Sequence, residues 1–235
     1  MKIGFKAYTE NTQFSKHFPI PAKQKIPAWY PRIPKHTDNE KKFKFFQNGN
    51  KNTTIKFCNP FLDSLTIGYS ILLEGDVFVE KTEDGGHSFT WPVGGERFIV
   101  AHDARQISPD MIPSGYNPIP FKFQNNWSAM TPAGYSLLFV HPLNRTDLPF
   151  FTLSGVVDTD DYHVPVEFPF FIKSDFEGII PAGTPIAQAI PIKREPWSSQ
   201  VTKFDKDFTN KTNVGFFSTI YRPYKNLFWK RKDYR

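Results

Sequence analysis

Three aspartates fall within four residues, Asp158, Asp160 and Asp161, and Tyr162 follows them directly. Carboxylates this close can do two kinds of chemistry. Each raises the other's proton affinity, which suits a general base, and their hard oxygens suit Mg2+ or Ca2+. Asp158, Asp160 and Asp161 are therefore candidate metal ligands, and Asp158 is the candidate base. The same run also suits a tight turn whose Asp side chains accept from nearby backbone amides. Both readings stand at this level.

Other reactive residue types are sparse or badly spaced. The histidines at 17, 36, 87, 102, 141 and 163 never recur at the short spacings of a metal site. No GxSxG setting surrounds a serine, and GDVFVEKTEDGGHS lacks both the GK[ST] ending and the GxGxxG order of phosphate loops. Cys58 is the single cysteine, so the chain has no internal disulfide and no CxxC pair; it reads as a small buried hydrophobe. The tail YRPYKNLFWKRKDYR interleaves aromatics with cations. Trp229, Lys230 and Arg231 are candidate binders of nucleic acid, by stacking and phosphate neutralisation. Alternatively the tail aromatics pack on a partner subunit while the cations rim the contact.

The elements that must position these residues read as strands. Thr131–Pro191 alternates apolar runs with turns: GYSLLFV over 134–140, an edge or twisted strand over 164–170 carrying Pro165 and Pro169, a turn at 181–183, and a closing strand over 186–192. Upstream, 2–8, 68–73 and 76–81 read as strands, with EDGGHS as a hairpin tip. Asn48-Gly49 marks a hairpin over 41–57. Residues 60–66 suit one helical turn, and 94–120 an irregular loop with a short helix near 107–112. Five prolines between Pro19 and Pro34 argue for an extended arm, not a helix, whose Trp29-Tyr30 must dock on a surface.

Composition agrees. In 235 residues, 17% are aromatic and 21 are Pro, which disfavours long helices and points to a mainly β chain. Nothing approaches the run of about 18 apolar residues that spans a bilayer, and the N-terminus has no apolar signal-peptide core. Charge is segregated: 1–59 carries +9, 60–192 carries −10 and 193–235 carries +7. Such charge speaks to association, either basic arms lying on an acidic core or basic arms touching nucleic acid.

Three segments, in order, resemble the dUTPase superfamily, the β-clip fold shared with dCTP deaminase. TPAGYSLLFVHP resembles its PPG-Y-strand segment, GVVDTDDY its G-x-[I/V]-D-x-x-Y signature, and IPAGTPIAQAIPI its G-x-x-IAQ strand; SLTIGYSILLEGDVFVE resembles the opening AAGYDL segment more loosely. The IPAWYP arm and VDTDDY core also resemble a family frequent in phage genomes. The superfamily resemblance implies a β-clip, or distorted barrel, that forms a homotrimer. It implies Asp158 as the residue that activates the attacking water, Tyr162 as the stacking residue under the sugar, Gln188 as the Gln of the IAQ strand, and Mg2+ holding the triphosphate. The chain departs from the pattern at several points. GVVDTDDY has one residue too many between Asp and Tyr. HPLNRTDLPF stands where a Ser-Gly is expected, leaving Arg145 as the nearest phosphate ligand. Ser70 stands for an Asp, and NVGFFSTIY offers one glycine where the family has a Gly-rich arm.

The sequence thus predicts a mainly β, dUTPase-like β-clip over 60–193, flanked by a basic Pro-rich arm over 1–59 and a basic aromatic arm over 194–235. Its function reads as a catalytically degenerate, self-associating structural or assembly component, with itself, other virion or assembly proteins, and nucleic acid as partners, and no membrane. The location expected is host cytoplasm or virion. The alternatives are a divergent Mg2+-dependent nucleotide pyrophosphatase using Asp158 and Tyr162, and a nucleic-acid-binding accessory protein.

Overall fold

The computed structural model describes residues 1–38, 42, 44, 51–92, 97–217, 222 and 224–235, without side chains over 212–217. Its contacts divide the chain into two compact units. The first comprises Met1–Lys25, Ile67–Arg194 and Tyr234–Arg235, and the second Ile26–Thr66 and Glu195–Asp233. Among the described residues no helix is long and apolar enough to cross a membrane.

The first unit is mainly β. Its strands are Gly4–Ala7 (β1), Ile20–Pro21 (β2), Tyr69–Leu72 (β3), Val77–Lys81 (β4), His87–Thr90 (β5), Ile99–Ala101 (β6) and Phe121–Phe123 (β7). They continue as Trp127–Met130 (β8), Tyr135–Val140 (β9), Phe150–Thr152 (β10), Gly155–Val157 (β11), Phe168–Ile172 (β12), Gly178–Ile180 (β13) and Pro185–Lys193 (β14). All pairings between these strands are antiparallel, in the orders β11-β9-β14-β3-β2, β10-β12-β7-β6, β13-β4-β5 and β1-β8. The chain is mainly β, as its aromatic and proline content predicts.

Phenylalanine builds the core. Phe123, Phe150, Phe168 and Phe170 are at most 2% exposed. Phe123 stacks on Phe170 with centroids 3.8 Å apart, and Phe150 meets Phe123 edge-on at 4.9 Å. Ala187 and Ala189 on β14, with Leu137 and Phe139 on β9, complete the same cluster. Two glycines are fixed by geometry. Gly68 has φ +71°, and a Cβ there would sit 2.1 Å from the Ala189 carbonyl oxygen, so the chain enters β3 against β14 only with no side chain. Gly134 has φ +81° in the turn closed by Tyr135 N–H to Pro132 carbonyl, which starts β9.

Several expectations change. The strand expected over 164–170 runs instead from Phe168 to Ile172 and is interior, between β10 and β7. Pro169 is tolerated there because β10 ends at Thr152, opposite Phe170; beyond that end, Leu153 N–H donates to the Pro169 carbonyl at 2.8 Å. Pro191 sits likewise past Ala189, the last residue of β14 that pairs with β3. The loop over 94–120 contains β6, whose short IVA run carries no periodicity; near Pro109–Met111 it makes a 3-10 turn. Strands β10 and β11 also went unread, being three residues each.

The second unit pairs Ile26–Thr66 with Glu195–Asp233. The Pro-rich arm is not wholly extended, since Trp29–Arg32 (α1) is one helical turn. Pro31 fits because a first-turn amide has no helical acceptor. Asn59–Thr66 (α2) has eight residues, longer than the single turn expected. The hairpin expected over 41–57 falls largely outside the described residues; within them Ile55–Phe57 is a 3-10 turn capped by the Thr54 hydroxyl. Tyr30 is buried and stacks on Phe61 of α2 at 6.0 Å. Lys56 Nζ donates to the carbonyls of Tyr30 and Pro31 at 2.9 and 2.8 Å. From the C-terminal end come Lys206–Phe217 (α3) and a π turn over Tyr224–Phe228.

Candidate functional site

The three aspartates lie in the turn that leaves β11. Asp161 and Tyr162 N–H both donate to the Asp158 carbonyl, at 3.1 and 2.9 Å. The buried Thr159 ties this turn to the one before β9. Its carbonyl accepts from Thr131 N–H at 3.1 Å, and its hydroxyl lies 2.8 Å from that of Thr131. Because β9 pairs antiparallel with both β11 and β14, its first residues lie beside the ends of both partners. Arg194, directly after β14, is thereby delivered to the aspartates.

Arg194 N–H donates to the Gly134 carbonyl at 2.8 Å. Its Nη1 donates to Asp160 Oδ1 at 2.8 Å, Ser136 Oγ at 3.0 Å, and Asp158 Oδ1 and the Tyr135 carbonyl at 3.2 Å; Nη2 donates to Asp160 Oδ2. Gly134 N–H adds a bond to Asp160 Oδ2 at 2.9 Å, and the Ser136 hydroxyl donates to Asp158 Oδ1 at 2.6 Å. The Asp160 side chain is 7% exposed, that of Asp158 65%. The Arg194 hydrogen bonds, then the Gly134 amide, hold the Asp160 carboxyl far below the usual carboxylate range, and Asp160 raises Arg194 in turn.

This donor set fits a guanidinium rather than a divalent ion. Both oxygens of Asp160 and one of Asp158 already accept from a cation of the same unit, and Asp161 is exposed. Among the described residues no group of three His, Cys, Asp or Glu could hold a metal ion.

Tyr162 faces elsewhere. Its half-exposed ring lines an open groove of about 570 Å3 with Val157, Val164, Pro165 and the Lys122–Glu167 ion pair (3.0 Å). Lys122 projects from β7. None of the three aspartates lines this groove. The chain brings Asp158 and Asp160 together and places Tyr162 on a groove that neither lines.

Arg145 is bound to its neighbour Asp147, Nε to Oδ1 at 2.9 Å and Nη2 to Oδ2 at 2.9 Å. Its carbonyl caps His141, whose Nε2 lies 3.1 Å away while Thr152 N–H donates to Nδ1 at 3.3 Å. Nδ1 therefore accepts and Nε2 donates, so the ring is neutral, and burial lowers its pKa. Gln188 is 3% exposed. Its amide NH2 donates to the Ile67 carbonyl at 2.6 Å and its oxygen accepts from Leu143 N–H at 2.9 Å, clamping the entry to β3 and the loop after β9 to β14.

In the second unit the Trp229 indole N–H donates to Asp63 Oδ2 of α2 at 2.9 Å, and Lys232 Nζ to the same oxygen at 2.6 Å. Lys230 and Arg231 are exposed.

Among solved structures, the chain is similar to phage dUTPases. One is a variant dUTPase from phage phi11 of S. aureus, described for its coordination of a structural Mg(II) ion: 11% identity, TM-score 0.36, covering 88% of this chain and 98% of that one. Two more are variants of the Staphylococcus bacteriophage 80alpha dUTPase. One, with dUpNHpp, has 13% identity, a TM-score of 0.35, and 87% and 90% coverage; the other has 12%, 0.34, and 87% and 99%. No protein-family model matches the chain, and no curated protein does.

Sequence reasoning missed Arg194 and Ser136. Arg194 stands at the junction of a strand and a basic tail, where its charge reads with the tail. Only the β9–β14 register shows that it lies beside Asp158 and Asp160.

Proposed function

We propose that this chain is a non-enzymatic β protein that works by associating with copies of itself, as a structural or assembly component of the kind a phage virion uses. One observation carries the reading. The Asp-rich turn is built into the fold: Arg194 and the Gly134 amide close both oxygens of Asp160, and Arg194 and Ser136 hold Oδ1 of Asp158. A carboxylate held against a fixed guanidinium, as Asp160 is, is a poor proton acceptor. The aromatic residue that would cradle a sugar lines a different surface.

A contact surface is available in the second unit. Trp197, Val201, Phe204 and Phe208 are 85, 98, 82 and 69% exposed. Trp197, Val201 and Phe204 lie in the non-helical segment before α3 and Phe208 in its first turn, four large apolar side chains within twelve residues. A chain that stayed alone would leave these side chains in water, and exposed apolar groups of this kind mark interfaces. We infer that they meet in a homo-oligomer, with a trimer as the expected size.

The mass of the full chain in solution tests this. Light scattering should give a multiple of the 27.2 kDa chain, and replacing Trp197, Val201, Phe204 and Phe208 with Ser should give the monomer. A monomeric wild type, or an oligomer indifferent to the four changes, contradicts the proposal.

A further inference from the structure

We propose that the turn Tyr224–Arg231 is a binding site for single-stranded nucleic acid, assembled by folding two basic segments, Ile26–Thr66 and Glu195–Asp233, into one unit. Residues 26–66 carry seven Lys/Arg against three Asp/Glu, and 195–233 carry eight against four, so the second unit holds a net +8 while the rest of the chain holds −2. Two segments far apart in sequence are brought together, although like charge opposes their union.

The turn is held from behind. Arg222 donates to Asn59 Oδ1 at 2.9 Å and lies 4.9 Å over the Phe57 ring. Trp229 N–H closes the π turn on the Tyr224 carbonyl at 2.8 Å. The Trp229 indole and Lys232 both end on Asp63. These contacts use Arg222, Trp229 and Lys232. Tyr224 and Phe228 are 37 and 47% exposed, and Lys225, Lys230 and Arg231 are exposed without an ion pair to any described acid.

Two accessible rings among three cations on a supported turn match what a single strand offers. Phosphates take the cations, and unstacked bases take the rings. A duplex keeps its bases stacked inside and gives Tyr224 and Phe228 nothing to stack on. An acidic protein face would use the cations but has no need of exposed rings.

The test is fluorescence anisotropy of a labelled oligo-dT of about twenty nucleotides with the full-length chain, at salt between about 50 and 200 mM. Binding that weakens with salt is expected. The triple variant K225A/K230A/R231A should lose at least tenfold in affinity, and the log–log salt slope should shrink by about 2, three phosphates at about 0.7 each. Phe228→Ala should cost about tenfold and leave the slope unchanged. No binding at low salt overturns the proposal, as does a triple variant that binds like wild type. A competition needing no variant settles the ligand class: polyglutamate or duplex displacing the oligo-dT as well as unlabelled oligo-dT does would show a general anion surface, and the proposal would fail. The oligomer mass is read separately, so this result and the self-association result stand or fall apart.

Discussion

At the scale of single residues, Arg194 decides what the aspartates are. Its guanidinium supplies four hydrogen bonds to Asp160, Asp158 and Ser136. Arg194→Ala should lower the melting temperature and leave two like charges facing each other; adding Asp160→Asn to it should restore part of the loss, because the second change removes the repulsion. A double variant no better than Arg194→Ala alone would show that the node is not electrostatic. Histidines give a second expectation. Burial is the largest cause lowering His141, His87 and His17 below 6.5 in the folded chain. A folded value below the unfolded one means the unfolded chain binds more protons between the two. Stability is therefore fully present above about 6.5 and is lost as pH falls below it. Melting temperature measured from pH 7.5 to 5 should fall, and His141→Gln should flatten part of that slope.

At the scale of elements, the strands with sustained alternation or a clear turn were legible, and the short ones were not. GYSLLFV reads as β9 because an apolar run follows a Gly-led turn, and DVFVEK reads as β4 because its residues alternate. FFT, GVV and IVA are too short for a period to show, and only their neighbours make them strands. Pro169 misled the reading of its strand because a proline argues against interior placement unless the neighbouring strand ends there, which no local signal reports. The Asp-rich turn was legible in kind, but its cation came from a residue 34 positions from Asp160, fixed by register alone. Two substitutions test the packing. Phe170→Ala removes a ring that contacts Phe121, Phe123 and Phe150, and should cost about 3–5 kcal/mol in denaturant unfolding. Gly68→Ala forces a methyl into the Ala189 carbonyl and should cost about 3 kcal/mol or more. In the second unit Asp63→Ala unpairs the Trp229 indole and Lys232 together, and a loss of about 1–3 kcal/mol is expected, read as loosening of Trp229 by fluorescence.

At the scale of the whole molecule, charge segregation was legible from composition and its structural meaning was not. The basic N-terminal and C-terminal stretches read as separate arms, yet 26–66 and 195–233 make one unit through Asp63, Asn59 and Phe57. No local pattern announces a contact such as Trp229 to Asp63, 166 residues apart. The account as a whole rests on the acidic centre being part of the framework and not a site of turnover. Pyrophosphate release from a panel of deoxynucleoside triphosphates with Mg2+ tests that most directly. The account predicts none, with wild type and Asp158→Ala indistinguishable. Robust release that Asp158→Ala abolishes would contradict it.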